Sequence, residues 1–396
     1  MKACLSPNGQ VRSAGLRPLT NLFVATIRGI VTLERDGPDS PWRETARVLE
    51  DRHLSSILID GRSGLMLTGV HGRGEEGGLF RSEDGGATWE MSMDGMASGH
   101  VYCVDCEQRG DETFFYAGTE PPALYQSRDM GRTWTDLASL REVPGTEHWI
   151  FPPPPHIAHV KTVAFHPDQP GTIYALVEQG ALLCSTDDGR SWTELDAYSS
   201  KEDSFYRDVH RVAIASHDPN RLYLATGDGL YYSADGGERW EHLQKRTDRV
   251  GYPDALFLDP ADDDTVFLAG AGDAPETWRV AGGAHAGFIV SRDGGRNWSE
   301  LMNGIPEPLP GNIEAVSMHS WPGGLAFYAG TAIGDVYASE DGGNGWQRIA
   351  TGLPPISKAR HYRHFLSAEE KFALEEKGRE ERRAEGLAER EYHTNA

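Results

Sequence analysis

The octapeptide Ser82-Glu83-Asp84-Gly85-Gly86-Ala87-Thr88-Trp89 constrains this chain more than any other stretch, because its pattern returns five times. The copies begin at Ser127, Ser185, Ser233, Ser291 and Ser339, at steps of 45, 58, 48, 58 and 48 residues. Each keeps Asp at its third place and Trp at its eighth. A period of this length fits one four-stranded propeller blade. A chain of 396 residues would otherwise suggest two or three domains, but a repeat array lengthens by adding blades to a single domain.

Four short strands can be followed through each unit. In the third they run His100–Val104, Phe114–Thr119, Ala123–Ser127 and Trp134–Leu137. Alternation along them is partial, as it is where strands are buried on both faces. A seventh unit precedes the first motif: Leu22–Thr26 and Gly29–Leu33 read as strands, and Arg35-Asp36-Gly37-Pro38 as a degraded turn. It lacks an inner strand, and Pro355–Tyr362 is expected to return and close the ring, removing an exposed edge. The expected fold is all-β: a single seven-bladed β-propeller with Asp-box turns, over 22–362. An N-terminal extension (1–21) precedes it, and a charged C-terminal helix (363–396) is expected to follow, opening on the capping-box pattern Ser367-Ala368-Glu369-Glu370. Self-association through that helix is one reading of the tail.

The formal net charge of −22 argues against nucleic acid and against an acidic membrane, since binding either needs a face of Lys and Arg. Four cysteines are too few for a disulfide framework in a chain this long. Cys103 and Cys106 have CxxC spacing but fall in a strand, so they read as free thiols rather than ligands of one ion. No run approaches the length of a signal peptide's apolar region or a membrane span. The expectation is a cytoplasmic protein.

The S-x-D-x-G-x-T-W pattern resembles the Asp-box, or BNR, repeat of sialidases, sortilin-type receptors, photosystem II assembly factors and xyloglucan-degrading endoglucanases. The resemblance covers Leu22 to Tyr362 and implies a structural role for Asp84 and its five counterparts at the turn between third and fourth strands. It does not imply sialidase activity. A Phe/Tyr-Arg-Ile-Pro segment has no counterpart beyond Leu16-Arg17-Pro18, and neither an arginine triad nor a Tyr/Glu nucleophile pair can be assigned.

Propeller topology puts the starts of the inner strands, and the loops joining second to third strands, on the face opposite the Asp-box turns. Inner-strand starts supply His53, His100, His159 and His210, read as equivalent positions on four successive blades, then Tyr252 and Asn312. The loops supply His71, Glu120, Glu178 and Asp228. An arc of imidazoles backed by carboxylates is a recognised way to hold Zn, Mn or Fe, and His53, His100, His159 and His210 are the candidate ligands of such a divalent transition metal. Ordinary channel lining fits the same residues. Glu120 and Glu178 are candidates for a glycosidase-like carboxylate pair, and Asp208 with His210 for acid–base work. Two insertions, Arg141–Ala158 and Ala271–Ala286, bring Trp149, His156 and Trp278, which together with Tyr252 are candidate substrate contacts. Packing of long loops onto the propeller competes with that role for the two tryptophans. The expectation is a small-molecule or carbohydrate ligand at a His/acid-rich mouth, with hydrolase or metal-dependent lyase chemistry; the alternative is a non-catalytic binding or assembly propeller.

Overall fold

At the corner of each Asp-box repeat one carboxylate gathers the chain. Asp84 Oδ1 accepts from Ser82 Oγ at 2.8 Å and from the backbone N–H groups of Ala87 (3.0 Å) and Thr88 (2.9 Å). Ser82 Oγ in turn accepts the Gly86 N–H at 2.9 Å. Gly85 and Gly86 stand at φ 77° and 93°, where a side chain would be strained. The Thr88 hydroxyl and these N–H donors hold Asp84 well below the usual carboxylate range. The same Ser-to-Asp bond recurs at Asp129, Asp187, Asp235, Asp293 and Asp341.

The computed structural model describes residues 2–9, 11–72, 74–152, 156–198, 207–275, 278, 283–357 and 376. Their strands form seven sheets, six of four strands and one of five, which are the seven blades of the expected all-β propeller. Taken in order, the inner strands of the second to seventh blades are Leu54–Ile59, Val101–Arg109, His159–Phe165, Val209–Ile214, Tyr252–Asp259 and Ile313–Trp321. Core clusters lie between neighbouring blades; one joins Tyr116 and Leu124 of the third to Val160, Ala175 and Leu183 of the fourth.

Ring closure differs from the sequence expectation. The inner edge of the first blade is taken by Lys2–Leu5, which pairs in parallel with Asn21–Thr26. Arg12–Ala14 pairs in parallel with the inner strand of the last blade through Met318–Ser320. Lys2–Leu5 and Arg12–Ala14, expected as part of an extension, thus add strands to two blades and cover the inner edge of each. Pro355–Ser357 runs instead across the mouth: Pro355 O accepts from Ile27 N, Ile356 N donates to Thr331 O, and Ser357 O meets His53 Nε2 at 3.1 Å. Residues 358–362 of the expected closing strand lie outside the described residues. So does the tail expected as a charged helix, apart from Glu376, and that helix is not supported. Among the described residues short 3-10 turns lie in loops at Gly74–Glu76, Ala138–Glu142 and Thr146–His148, and no helix is long and apolar enough to cross a membrane.

Candidate functional site

The ladders between first and second strands slip by one residue near the mouth in six successive blades. Between Val101↔Thr119 and Cys103↔Gly118, Tyr102 is left over. By the same slip Ser55, Lys161, His210, Asp254 and Glu314 are the extra residues of their strands. A bulge of this kind re-aims the side chain of its extra residue. Two residues before each bulge stands a second polar or aromatic side chain: His53, His100, His159, Asp208, Tyr252 and Asn312. The mouth is therefore built in two tiers, and each of these six strands enters it through a triplet whose middle residue is apolar, as in His159-Val160-Lys161.

This register corrects one sequence alignment. His210 is not the counterpart of His159; Asp208 is, and His210 sits one tier deeper in the place of Lys161.

Between the tiers runs a buried network. His71 Nδ1 lies 3.2 Å from His100 Nε2, and His100 Nδ1 is 3.2 Å from Glu120 Oε1. The Tyr102 hydroxyl donates to Glu120 Oε2 at 3.2 Å, and its ring stacks on His159 at 3.5 Å and 17°. His159 is fully buried and stands between two carboxylates, with Nε2 at 2.6 Å from Glu178 Oε2 and Nδ1 at 3.8 Å from Glu120 Oε2. Lys161 Nζ donates to Glu178 Oε1 and, at 3.2 Å, to Asp254 Oδ1. His210 Nδ1 bonds Pro253 O at 2.6 Å, while its Nε2 faces Asp208 Oδ1 at 3.3 Å and Glu178 Oε1 at 3.7 Å. The Tyr252 hydroxyl donates to Asp208 Oδ2 at 2.7 Å.

Burial and charge compete in setting the protonation here. Burial pulls the His53 imidazole down to about 4, and it depresses His159 despite the pull of Glu178. Burial would raise Glu178, but Lys161, His159 and His210 overcome it and hold the carboxylate well below its ordinary value. Lys161 is driven down by burial yet ends above its ordinary value, because Glu178 and Asp254 outweigh the desolvation. Burial beside Asp208 pushes Tyr252 far up, so its hydroxyl keeps its proton.

The four histidines expected as a metal set do not gather around one point. His53 reaches the Ser357 carbonyl and His100 the His71–Glu120 pair, while His159 is held by Glu178. Among the described residues only Glu178, Asp208 and His210 bring three ligand atoms within 4.8 Å of one another. Trp149 packs against the core between the third and fourth blades. Trp278 is buried among Tyr252, Ala271, Ala274 and Ala284, with its indole N–H on Asp273 O. At 4% exposure Trp278 offers no stacking platform, whereas Trp149 is only partly buried. His156 closes its loop on Phe151 O at φ 66°, and the Phe151 ring meets His159 edge-on. Tyr102, Lys161, Asp254 and Glu314 were missed by sequence reasoning, though the repeated polar–apolar–polar triplet marks all four. A groove of ≈ 780 Å³ on the opposite face, beside Trp321 and Asp341, touches none of this network.

A family model described as Sortilin-Vps10 (sortilin, neurotensin receptor 3) matches residues 122–281 and 180–309. Xyloglucanase Xgh74A of Acetivibrio thermocellus is 28% identical over 175 residues, which is 38% of this chain and 19% of the relative, so the chain spans about a fifth of that enzyme. Among solved structures, an ancestral GH74 enzyme superposes with a TM-score of 0.57 at 17% identity, over 76% of this chain and 39% of its own. Ycf48 bound to a D1 peptide superposes with a TM-score of 0.54 at 17% identity, over 85% of this chain and 94% of its own. At such identity the structural likeness is one of fold. With six Asp-box corners around seven blades, the chain is a β-propeller of the BNR/Asp-box repeat type.

Proposed function

We propose that this chain is a ligand-binding propeller that recognises a basic peptide segment at the mouth of its channel. The observation that carries the reading is the convergence of four carboxylates, Glu120, Glu178, Asp208 and Asp254, from four successive blades on one end of the channel. Acceptors gathered in a low-dielectric setting favour Lys and Arg side chains, which bring charge-assisted hydrogen bonds. The superposition with a peptide-bound propeller over 94% of that chain supports a peptide ligand.

Carbohydrate hydrolysis is the second reading, favoured by the likeness to a xyloglucanase. Two features weigh against it. The imidazole of His159 stands between Glu120 and Glu178, where a carboxylate pair needs room for a sugar and a water. Trp278, one of the tryptophans that would stack on a ring, is packed away.

The test is fluorescence polarisation with a labelled Arg-Gly octapeptide and its neutral Gln-Gly counterpart, alongside a reducing-sugar assay on xyloglucan oligosaccharides. Binding of the Arg peptide alone, lost in Glu120→Gln and Asp208→Asn but kept in the exposed controls Glu83→Gln and Glu300→Gln, is expected. Equal loss in all four variants would reduce the effect to bulk charge. Sugar release that disappears in Glu120→Gln would establish the glycosidase reading instead.

A further inference from the structure

The two nitrogens of His210 are in opposite situations. Nδ1 lies 2.6 Å from the Pro253 carbonyl oxygen, which can only accept, so Nδ1 carries the hydrogen. In the neutral imidazole Nε2 then presents a lone pair. Around that nitrogen lie Asp208 Oδ1 (3.3 Å) and Glu178 Oε1 (3.7 Å), two further centres of negative charge. His210 is fully buried, and Nε2 makes no hydrogen bond. A proton placed there would find no acceptor in good alignment. A cation placed between the three atoms would satisfy all of them.

We propose that Glu178, Asp208 and His210 form a binding site for one first-row divalent metal ion, of the Mn or Zn type. Their ligand atoms lie within 4.8 Å of one another. Bonds of ~2.0–2.2 Å separate neighbouring ligands by about 3.0–3.5 Å, close to the spacings around Nε2. One imidazole with two carboxylates suits such ions, whereas Ca and Mg prefer all-oxygen sets. The outer contacts are those a metal site uses to orient its ligands. Pro253 O fixes the His210 tautomer, the Tyr252 hydroxyl holds Asp208 Oδ2, and His159 Nε2 holds Glu178 Oε2. Lys161 Nζ, on Glu178 Oε1 and Asp254 Oδ1, is the built-in cation against which the metal competes.

The site goes beyond the peptide-binding reading and does not depend on it, since metal content is read directly. The ion would also withdraw Glu178 and Asp208 from the acceptors offered to a ligand. The experiment is isothermal titration of chelator-treated full-length protein with Mn(II) and Zn(II), without peptide. Elemental analysis of protein purified without added metal or chelator accompanies it. One ion per chain is expected, with affinity falling at least tenfold in Asp208→Asn and in His210→Gln. In Tyr252→Phe, which keeps the ring and removes only the bond that orients Asp208, the loss should be about tenfold. Folding of each variant is checked by circular dichroism. If Asp208→Asn or His210→Gln does not fold, the Tyr252→Phe titration and the spectrum of Co(II)-loaded wild type, which reports nitrogen and oxygen ligation, decide. No uptake of either ion at millimolar concentration, or uptake unchanged in the variants that fold, would overturn the proposal.

Discussion

His159 and Glu178 face each other as cross-strand partners in the fourth blade and share a 2.6 Å hydrogen bond with both side chains buried. Lys161, two residues along the same strand, reaches the other oxygen of the same carboxylate. Glu178 is thereby the centre of the network, and each neighbour depends on its charge.

Removing the lysine should be costly at neutral pH. Lys161→Met leaves Glu178 and Asp254 buried without their ammonium, and breaking such a pair costs about 3–5 kcal/mol. Glu178 titrates well below 4.5 in the folded protein, so the stability it contributes is present above pH 4.5 and is lost as pH falls. The gap between wild type and Lys161→Met should therefore narrow in acid. Urea unfolding at pH 7 and pH 4 measures both; a gap that widens in acid would contradict the assignment.

His53 gives the mouth a second acid sensitivity. Its imidazole is held neutral by burial, down to about 4 from an ordinary 6.5. The unfolded chain binds the proton first, so stability rises with pH between 4 and 6.5 and is level above. His53→Gln should flatten this window, with a recovery on the order of 1–3 kcal/mol near pH 4.5. Thermal melts of both proteins from pH 4 to 8 provide the comparison.

The blades were legible in the sequence because an Asp-box must be spelled out locally: Ser, Asp, Gly and Trp each satisfy bonds within the same turn. Closure by Lys2–Leu5 was hidden, since a four-residue parallel strand has no local partner to announce it. The residues of the mouth were found face by face, but their tiers were not. One extra residue in the ladder moves His210 below Asp208, and a single-sequence alignment of histidine with histidine cannot see that shift. Nor could the sequence decide between packing and stacking for Trp278, whose ring is buried.

The Tyr102 bulge has a small residue opposite. Gly118 pairs with Cys103 beside the Tyr102 bulge, and a Cβ there would meet Cys103 Sγ and Val160 Cγ1, each at 2.7 Å. Gly118→Ala should cost about 1–3 kcal/mol through overpacking between the third and fourth blades. It should also loosen the Tyr102–His159 stack, seen as changed near-ultraviolet circular dichroism in the folded variant.

Lower in the channel Asp105 is pushed up to about 6, chiefly by burial, against the pull of the Cys106 N–H, Arg211 and Arg12. Its folded state prefers the protonated acid, so ionisation takes stability away as pH rises from 3.8 through 6. Asn mimics the neutral form and does not titrate. Asp105→Asn should leave stability near pH 4 almost unchanged and raise it at pH 8, by on the order of 1–3 kcal/mol. Opposing this is the attraction of ionised Asp105 for Arg211, whose own guanidinium is depressed by burial. Burial outweighs that attraction. A destabilised Asp105→Asn at pH 8 would mean that the carboxylate is needed to neutralise Arg211 and Arg12, reversing the balance between desolvation and charge in the channel.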